Sequence, residues 1–360
     1  MQLKDLIQKF NLSTTKPWSD AHLDSIEILG VSLIHNADAT DISFALPDTS
    51  DELIQSCQAS VLIVSRHDSR FKSIQILHHD PKGLYSTLGA AFFRPFDEGT
   101  GIDSLAIVHP TARIGKNVRI FANSVVRENV EIGDNCVLYP GTYIDRNVSI
   151  GNHSILHPNV VIFRDTVIGS RTTIGAGSVI GVEAFIHRRD PATHEDIKQY
   201  SFGTTVVGND VDIGALCSIE RAANSGDFTF IKGGCKLNDM IHIGHDVVLG
   251  NNCRLSAQVG IAGQTKVGMQ GIIYGQVGIA HSITIGDNVT IGGGSGVRSA
   301  IPANGFYAGY PAVPFREWGR QILRQRGLKD DSPTQLLETK IKDLEQRLSS
   351  LESSLVGKEC

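Results

Sequence analysis

The sequence predicts a mainly β solenoid, a parallel β-helix, because an aliphatic residue recurs at every sixth position over most of the chain. The first run of these residues begins at Ile102 and ends at Ile180. A second run keeps the same spacing from Val207 to Val297, and only Ser225 breaks its phase. A short fixed period sustained over this length is typical of a solenoid, in which each repeat packs on its neighbours.

A second position, four residues after each aliphatic, holds small or β-branched side chains. Between 118 and 178 they are Val118, Ser124, Val130, Cys136, Thr142, Val148, Ser154, Val160, Thr166, Thr172 and Ser178. Side chains of this size fit inside a narrow prism, where larger groups would clash. Glycine often follows the aliphatic, as in Ile114-Gly115 and Ile243-Gly244. This glycine predicts a tight corner with unusual backbone angles.

This pattern of two positions resembles the hexapeptide repeat of left-handed parallel β-helices. The resemblance implies that three hexapeptides form one triangular coil, so that about 18 residues return the chain to the same face one layer further on. It also implies a left-handed turn, which is an exception to the right-handed rule for parallel crossovers.

Residues 1–100 lack the repeat and predict a small N-terminal α/β domain. Apolar residues between Leu3 and Phe10 recur at helical spacing, and the apolar segments 59–64 and 74–77 predict short strands. The residues that follow carry the solenoid, so the domain boundary is predicted near residue 100.

The solenoid is predicted over residues 101–305, with one interruption. The interval from Ile180 to Val207 is not a multiple of six, so a loop must leave the solenoid at 182–204. Polar loops that leave a regular scaffold often line binding sites, although a loop without function fits the pattern as well.

The C-terminal segment, residues 306–360, predicts helices. Leucine and isoleucine between Leu337 and Leu355 alternate spacings of four and three, which indicates a heptad seam, as in a coiled coil. Upstream, Arg316, Arg320 and Arg324 are four residues apart and predict a basic stripe on one helix face. This stripe is either a site for an acidic partner or a solvated surface.

Composition limits the classes of function. The net charge of −5 argues against binding to nucleic acid or to a membrane surface. No apolar run approaches the roughly 20 residues of a membrane-spanning helix, and the N-terminus lacks the apolar stretch of a signal peptide. We therefore expect a cytoplasmic protein. Four of the six cysteines occupy the small inward position, which predicts packing rather than metal binding or disulfides: Cys136, Cys217, Cys235 and Cys253.

Three residues of the second run are predicted to stack in one column on the solenoid. His245 and His281 lie six hexapeptides apart, and Gly263 lies midway between them. With two layers at roughly 4.8 Å each, the histidines are expected about 10 Å apart. A histidine can act as a general base, and a bare glycine N–H can stabilise an oxyanion, which together suit acyl transfer. A surface or structural role for His245 is the alternative.

Several segments resemble the acyltransferases of lipid A biosynthesis, in particular the UDP-3-O-acylglucosamine N-acyltransferase family. The matching segments are Gly30-Val31-Ser32-Leu33, Asp41-Ile42-Ser43-Phe44, His109-Pro110-Thr111-Ala112, the run from Ile213 to Arg221, and the run from Ile243 to Gly250. The resemblance covers nearly the whole chain. It implies an enzyme, a homotrimer with active sites between neighbouring solenoids, and acyl carrier protein as the acyl donor.

The resemblance also implies roles for single residues. His245 would take the proton of the sugar's 2-amino group, and the Gly263 N–H would hold the oxyanion. Phe44 would stack on uracil, and the basic stripe would bind the acidic carrier protein. Further substrate-binding positions carried over from the family are Asp239, His281, Glu183 and Phe185. No metal or cofactor is implied beyond the acyl thioester co-substrate.

The chain departs from the family pattern where uridine would be recognised. The family's Asn and Tyr after the stacking Phe are Pro47 and Ser50 here. The family's Asp-Asn pair before the catalytic histidine is reversed here as Asn238-Asp239. Catalytic parts match better than nucleotide-recognition parts, which favours an altered sugar or acyl group.

Three other functions are compatible with the sequence. The first is an acyltransferase, N- or O-, for another sugar or nucleotide sugar with acetyl-coenzyme A as donor, since Gly309-Tyr310-Pro311-Ala312 resembles an exit motif of such enzymes. The second is a zinc lyase that resembles the solenoid carbonic anhydrases, which need a third histidine where Gly286 stands. The third is a scaffold without catalysis.

Overall fold

The computed structural model describes residues 1–92 and 99–325. The chain divides into two compact units, Met1–Asp97 and Glu98–Cys360. The predicted heptad seam between Leu337 and Leu355 lies outside the described residues. Among the helices of the described part, none is both long and apolar enough to cross a membrane.

The N-terminal unit is a small α/β fold. Its elements are α1 Leu3–Lys9, β1 Ser13–Thr14, α2 Asp20–Asp24, β2 Gly30–Val31, β3 Asp41–Phe44, α3 Asp51–Ser56, β4 Val61–Val64, β5 Ile74–Leu77 and α4 Pro81–Phe92. Within residues 1–92 the sheet has the order β1-β5-β4-β3-β2, and β1 alone is antiparallel. The central strand β4 is buried along its whole length, because one side packs with Leu3 and Leu84 and the other with Ile54.

The second unit is the predicted left-handed parallel β-helix, built from very short strands. They are β6 Gly101–Ile102, β7 Ile107–Val108, β8 Arg113–Ile114, β9 Arg119–Ile120, β10 Val125–Val126, β11 Glu131–Ile132, β12 Val137–Leu138, β13 Tyr143–Ile144, β14 Ser149–Ile150, β15 Ile155–Leu156, β16 Val161–Ile162, β17 Val167–Ile168, β18 Thr173–Ile174, β19 Val179–Val182, β20 His187–Arg189, β21 Asp196–Lys198, β22 Thr204–Val207, β23 Asp212–Ile213 and β24 Ser218–Glu220. The second half adds β25 Phe228–Ile231, β26 Lys236–Leu237, β27 His242–Ile243, β28 Val248–Leu249, β29 Arg254–Leu255, β30 Gly260–Ile261, β31 Lys266–Val267, β32 Ile272–Ile273, β33 Gly278–Ile279, β34 Thr284–Ile285, β35 Thr290–Ile291, β36 Gly296–Val297, β37 Phe306–Ala308 and β38 Val313–Pro314.

Except for β20 and β21, these strands stack into three long sheets that form the faces of a prism across residues 101–314. Successive coils pair in register three hexapeptides apart, as Ile120 with Leu138 and Leu138 with Leu156. The predicted aliphatic positions point inward and are buried from Ile120 onward. The sixfold repeat therefore predicted both the fold and the identity of its core.

The small inward positions are also buried, and several of their polar groups donate to a carbonyl of the next coil. Ser154 Oγ donates to the Gly169 carbonyl at 2.9 Å, and the Cys136 thiol donates to the Gly151 carbonyl at 3.1 Å. Cys235 and Cys253 make the same kind of bond. The cysteines thus serve as packing residues, as predicted, and burial raises the pKa of the Cys136 thiol.

The expected role of the glycine after the aliphatic is wrong at all of these positions except Gly181, whose φ is 79°. Positive φ occurs instead three residues after the aliphatic, where asparagine is common, as at Asn117 (56°) and Asn135 (58°). A Cβ on Gly115 would lie 2.7 Å from the Asp134 nitrogen of the next coil. These glycines therefore allow close stacking of corners rather than unusual backbone angles.

The expectation of a single interruption is also wrong. An unbroken repeat would pair Ile168 with Ile186, but Ile168 pairs with Val207, so the chain makes a long first insertion here. It contains the antiparallel hairpin of β20 and β21, and we call residues 182–204 the hairpin loop.

A second insertion follows one coil later. An unbroken repeat would pair Val207 with Ser225, but Val207 pairs with Ile231, one hexapeptide further on. The six extra residues lie within a short loop, residues 221–227. Because the insertion adds one whole repeat, the sequence period continues through it, and only Ser225 departs from the aliphatic positions.

The solenoid is followed by a short hairpin and a helix. β37 pairs with β35 and then antiparallel with β38, and the helix α5 Phe315–Gln325 begins directly after it. The ring of Phe315 stacks on that of Phe306 with centroids 4.2 Å apart. This stacking attaches the start of α5 to the end of the solenoid.

Candidate active site

His245 and Gly263 lie in contact on neighbouring coils, as the register predicts. β27 pairs with β30 so that Ile243 is opposite Ile261, and both residues follow these strands by two positions. A Cβ built on Gly263 would lie 2.5 Å from His245 Nε2. The imidazole therefore occupies the space that a side chain at position 263 would need.

The Gly263 N–H lies at a position of the repeat where some N–H groups bond to the next coil and others are free. Elsewhere the N–H two residues after the aliphatic can donate to a side chain on the next coil, as Lys116 does to Asp134 Oδ1 at 2.7 Å and Asp134 does to Asn152 at 2.8 Å. Within the part of the chain that the structure describes, the Gly263 N–H donates to no acceptor. A free N–H beside an imidazole is the arrangement that an oxyanion site needs.

Asp246 fixes the orientation of the His245 ring. Its Oδ2 lies 2.7 Å from His245 Nδ1, and the exposed fractions of the two side chains are 16% and 20%. With the proton on Nδ1, that bond leaves Nε2 as the proton acceptor. Asp246 is itself held in place, since its N–H donates to Thr229 Oγ1 and its Oδ1 accepts the N–H of Ala223 from the short loop.

Glu220 is a buried carboxylate at the same site, with 6% of its surface exposed. Its Oε2 accepts the His245 N–H at 2.9 Å, and its Oε1 accepts the Phe185 N–H at 3.1 Å. His242 Nε2 lies 3.8 Å from Oε1. One acidic group thus contacts the hairpin loop, the histidine candidate and a second histidine.

An open, largely apolar groove of about 530 Å³ leads away from His245. Its floor includes Gly260, Gly278 and Gly296, which are paired neighbours on three successive coils. A Cβ on Gly260 or Gly278 would meet nothing within 4 Å. At Gly296 the Tyr310 ring covers the position, so the strip of bare backbone ends there. The groove suits an extended apolar chain.

The other candidate residues of the solenoid lie at different places. His281 is exposed in the same column, where its Nδ1 is 2.9 Å from Ser282 Oγ. The Phe185 ring is 84% exposed and lines the groove. Glu183 stands at the base of the hairpin loop, 3.5 Å from Arg164 Nη2. Asp239 lies at another corner of the prism, where its Oδ1 accepts the Ala215 N–H, and a single chain does not bring it to His245.

Phe44 belongs to the N-terminal unit. Its half-buried ring lies against Tyr85, with centroids 5.0 Å apart. A cavity of about 320 Å³ lies beyond the ends of the parallel strands β3 and β4, between segments 45–47 and 65–70. Ligands commonly bind at the carboxyl ends of parallel strands, and the departure Pro47 lines this cavity.

The basic stripe is present on α5. Arg316, Arg320 and Arg324 are all exposed, and no salt bridge ties any of them to a residue in 1–92 or 99–325. Their charges are therefore available to a partner. Residues 326–360 lie outside the described residues.

The described residues offer little for a metal ion. No group of three or more His, Cys, Asp or Glu side chains is placed to share a metal within residues 1–92 and 99–325. Gly286 stands where the lyase alternative requires its third histidine. The zinc alternative therefore lacks a ligand set in this part of the chain.

Sequence reasoning missed Glu220 and the glycine strip as parts of the site. Glu220 stands in the run from Ile213 to Arg221 that resembles the family, but nothing in its spacing points to His245. The strip could have been found from the equal spacing of Gly260, Gly278 and Gly296, which is one coil at each step.

The solenoid and the histidine beside a free amide define a class of enzymes, the hexapeptide-repeat acyltransferases. The family model described as "Bacterial transferase hexapeptide (six repeats)" matches residues 111–146, 129–164 and 147–181. The model "Hexapeptide repeat of succinyl-transferase" matches residues 282–302. The scaffold alternative is set aside, because relatives of this chain are named as acyltransferases.

The chain belongs to the UDP-3-O-acylglucosamine N-acyltransferase family. A relative of that name from Syntrophobacter fumaroxidans is 42% identical over 326 residues, which cover 90% of this chain and 91% of the relative. Another from Methylacidiphilum infernorum is 40% identical over 62% of this chain and 64% of its own length. Among solved structures, an Arabidopsis UDP-N-acetylglucosamine acyltransferase matches with a TM-score of 0.54 and 26% identity, over 64% of this chain and 78% of that one.

Proposed function

We propose that this enzyme moves an acyl chain from acyl carrier protein to the 2-amino group of a UDP-3-O-acyl-glucosamine-type sugar in lipid A biosynthesis. The sugar nitrogen attacks the thioester carbonyl, and His245 Nε2 takes the proton that the nitrogen loses. The Gly263 N–H stabilises the negative oxygen of the tetrahedral intermediate. When the C–S bond breaks, the thiol leaves with the proton held by His245, and the amide product remains.

The contact of His245 Nε2 with the backbone of Gly263 is the observation that supports this mechanism most directly. The base must reach the proton of the attacking nitrogen, and the oxyanion donor must reach the carbonyl oxygen. Both of these atoms are bonded to one carbon in the intermediate, so the two groups must be neighbours, as they are here. Asp246 on Nδ1 stabilises the imidazolium that forms during the reaction. No step needs a metal or another cofactor, and active enzyme is expected to contain no stoichiometric zinc.

The groove favours a long acyl chain over an acetyl group. From His245 to Gly296 it crosses three coil steps, or roughly 14 Å at the strand spacing of about 4.8 Å. An acetyl group would leave most of this apolar surface unused. The groove is open along one side in a single chain, which supports a homotrimer in which a neighbouring solenoid closes it.

The decisive experiment compares wild-type enzyme with His245→Ala, using acyl-carrier thioester and UDP-3-acyl-glucosamine as substrates. Amide product is expected from the wild type only, with the variant slower by about 10³-fold or more because base and proton donor are both lost. Unchanged turnover in a folded His245→Ala protein would contradict the mechanism. Release of free coenzyme A from acetyl-coenzyme A, at a rate matching the carrier thioester, would favour the alternative donor.

The basic stripe supports acyl carrier protein as the donor. Replacing Arg316, Arg320 and Arg324 together by glutamate reverses the charge that an acidic carrier protein would meet. The KM for the carrier thioester is expected to rise about tenfold or more, while the KM for a short thioester lacking the protein stays unchanged. Equal KM values for the carrier thioester in variant and wild type would place the carrier elsewhere.

A further inference from the structure

Glu220 carries a negative charge in a place that is almost closed to water, so its surroundings must compensate for it. An unpaired buried carboxylate is strongly unfavourable, and hydrogen bonds to both oxygens are the usual remedy. Here the two donors are backbone N–H groups of His245 and Phe185, at 2.9 and 3.1 Å. They belong to different parts of the chain, so the carboxylate joins two segments that the backbone does not join.

The use of Glu220 as acceptor follows from the glycine at 263. At Lys116 and Asp134 the corresponding N–H is satisfied by the side chain on the next coil. For His245 the next coil offers Gly263, which has no side chain. The acceptor comes instead from the preceding coil, one position earlier in the repeat, where Ile219 pairs with Ile243. Glu220 thus supplies the acceptor that the open oxyanion position cannot supply.

The second donor belongs to the entrance of the hairpin loop. Phe185 follows β19, where the pairing with β24 shifts register between Ile180 and Val182 and the chain leaves the solenoid. Its ring lines the groove, and its N–H is held by the same carboxylate that holds His245. A shift of the Glu220 side chain would therefore move the groove wall and the base together.

We propose that Glu220 is a positioning residue, which fixes the backbone of His245 and the entrance of the hairpin loop in one arrangement through its two oxygens. This inference rests on the acyl transfer proposed above. In this proposal His245 Nε2 carries the proton, and Glu220 acts through the two backbone N–H groups that its oxygens accept.

Two substitutions separate the charge of Glu220 from its volume. Glu220→Gln keeps the volume but turns one oxygen into an NH₂ group that faces a backbone N–H. Glu220→Asp keeps both oxygens and loses one methylene. We expect Glu220→Gln to lower kcat by about tenfold to a hundredfold, the effect of misplacing a catalytic group by about 1 Å. Because Phe185 lines the acyl groove, the KM for the acyl thioester should rise as well, but by a smaller factor than kcat falls, and Glu220→Asp should retain the higher kcat.

The matched control is Glu131→Gln, which makes the same chemical change at an exposed residue paired with Arg113 on the solenoid. It should keep wild-type kcat. Melting temperatures and assembly mass are measured for every variant. A folded Glu220→Gln enzyme with wild-type kcat overturns the inference, and so does a Glu220→Asp enzyme slower than Glu220→Gln, since that order means that Glu220 only fills space.

Failure of this inference is distinguishable from failure of the proposed mechanism. If His245→Ala abolishes transfer while Glu220→Gln is as active as wild type, only the proposed positioning role of Glu220 is refuted. If His245→Ala remains active, the mechanism and this inference fall together. If Glu220→Gln is not recovered folded, Glu220→Asp decides: a kcat within about tenfold of wild type supports positioning, and a loss equal to that of His245→Ala contradicts it.

Discussion

Gly263→Ala tests the site more strictly than removal of its side chains, because it adds only one methyl group. The new Cβ would lie 2.5 Å from His245 Nε2 and 2.8 Å from the Cδ2 and Cε1 carbons of the ring. Carbon atoms prefer separations of about 3.5 to 4.0 Å, so the ring must retreat by about 1 Å. Its Nδ1 is tied to Asp246 at 2.7 Å, and the retreat must strain or break that bond.

A base displaced by about 1 Å loses on the order of a hundredfold in rate, which corresponds to about 2.7 kcal/mol in activation free energy. We therefore expect kcat for acyl transfer to fall by about that factor, with little change in the melting temperature. The backbone at position 263 is not in the positive-φ region, so the alanine itself causes no backbone strain.

The assay is steady-state amide formation, with Gly271→Ala as the matched control. Position 271 lies in the same part of the solenoid, and a Cβ there would meet its neighbours at 3.5 Å, an ordinary contact. The control should keep wild-type kcat. A folded Gly263→Ala enzyme that is as fast as the control would refute the reasoning, because the imidazole could not then work in the position that the structure gives it.

Three further predictions concern other parts of the chain. Asp246→Asn should lower kcat by on the order of 10²-fold and leave KM nearly unchanged in steady-state kinetics, because the His245 tautomer is no longer fixed. Gly278→Leu should lower kcat/KM for long-chain but not for short-chain thioesters in a chain-length series, because its side chain fills open groove. The hydrogen bond from Arg70 holds the pKa of Asp68 below its ordinary value. The stabilisation it gives the N-terminal unit is present above about pH 4 and lost as the pH falls through the lowered pKa, and melting curves of Asp68→Asn against pH should lack this loss.

The sixfold repeat was sufficient to predict the solenoid and its core, because every coil buries side chains at the same positions of the repeat. It also placed His245 beside Gly263, since no insertion lies between them. The repeat gave the wrong neighbour for His245 on the preceding coil. One regular coil counted back from His245 leads to Asp227, whereas the pairing of Ile219 with Ile243 brings Glu220 to the site. The short loop adds a whole hexapeptide, so the period of the sequence hides it.

The positions of Glu183 and Phe185 show a second limit. The sequence shows that a segment leaves the solenoid at 182–204, but not which side chains hold its ends. Those contacts come from Glu220 and Arg164, which are distant in sequence and belong to no shared pattern. Tertiary hydrogen bonds of this kind do not follow a period, and sequence spacing cannot reveal them.

The free N–H of Gly263 has a consequence for how this enzyme is studied. The amides of Ala262 and Gln264 on either side join neighbouring coils, whereas the N–H of Gly263, the proposed oxyanion donor, bonds to no described residue. A survey that truncates side chains one by one would never delete it. An amide-to-ester replacement at this peptide bond removes the donor and leaves every side chain in place. Semisynthesis can therefore remove the Gly263 N–H, whereas ordinary mutagenesis can only place a side chain beside it.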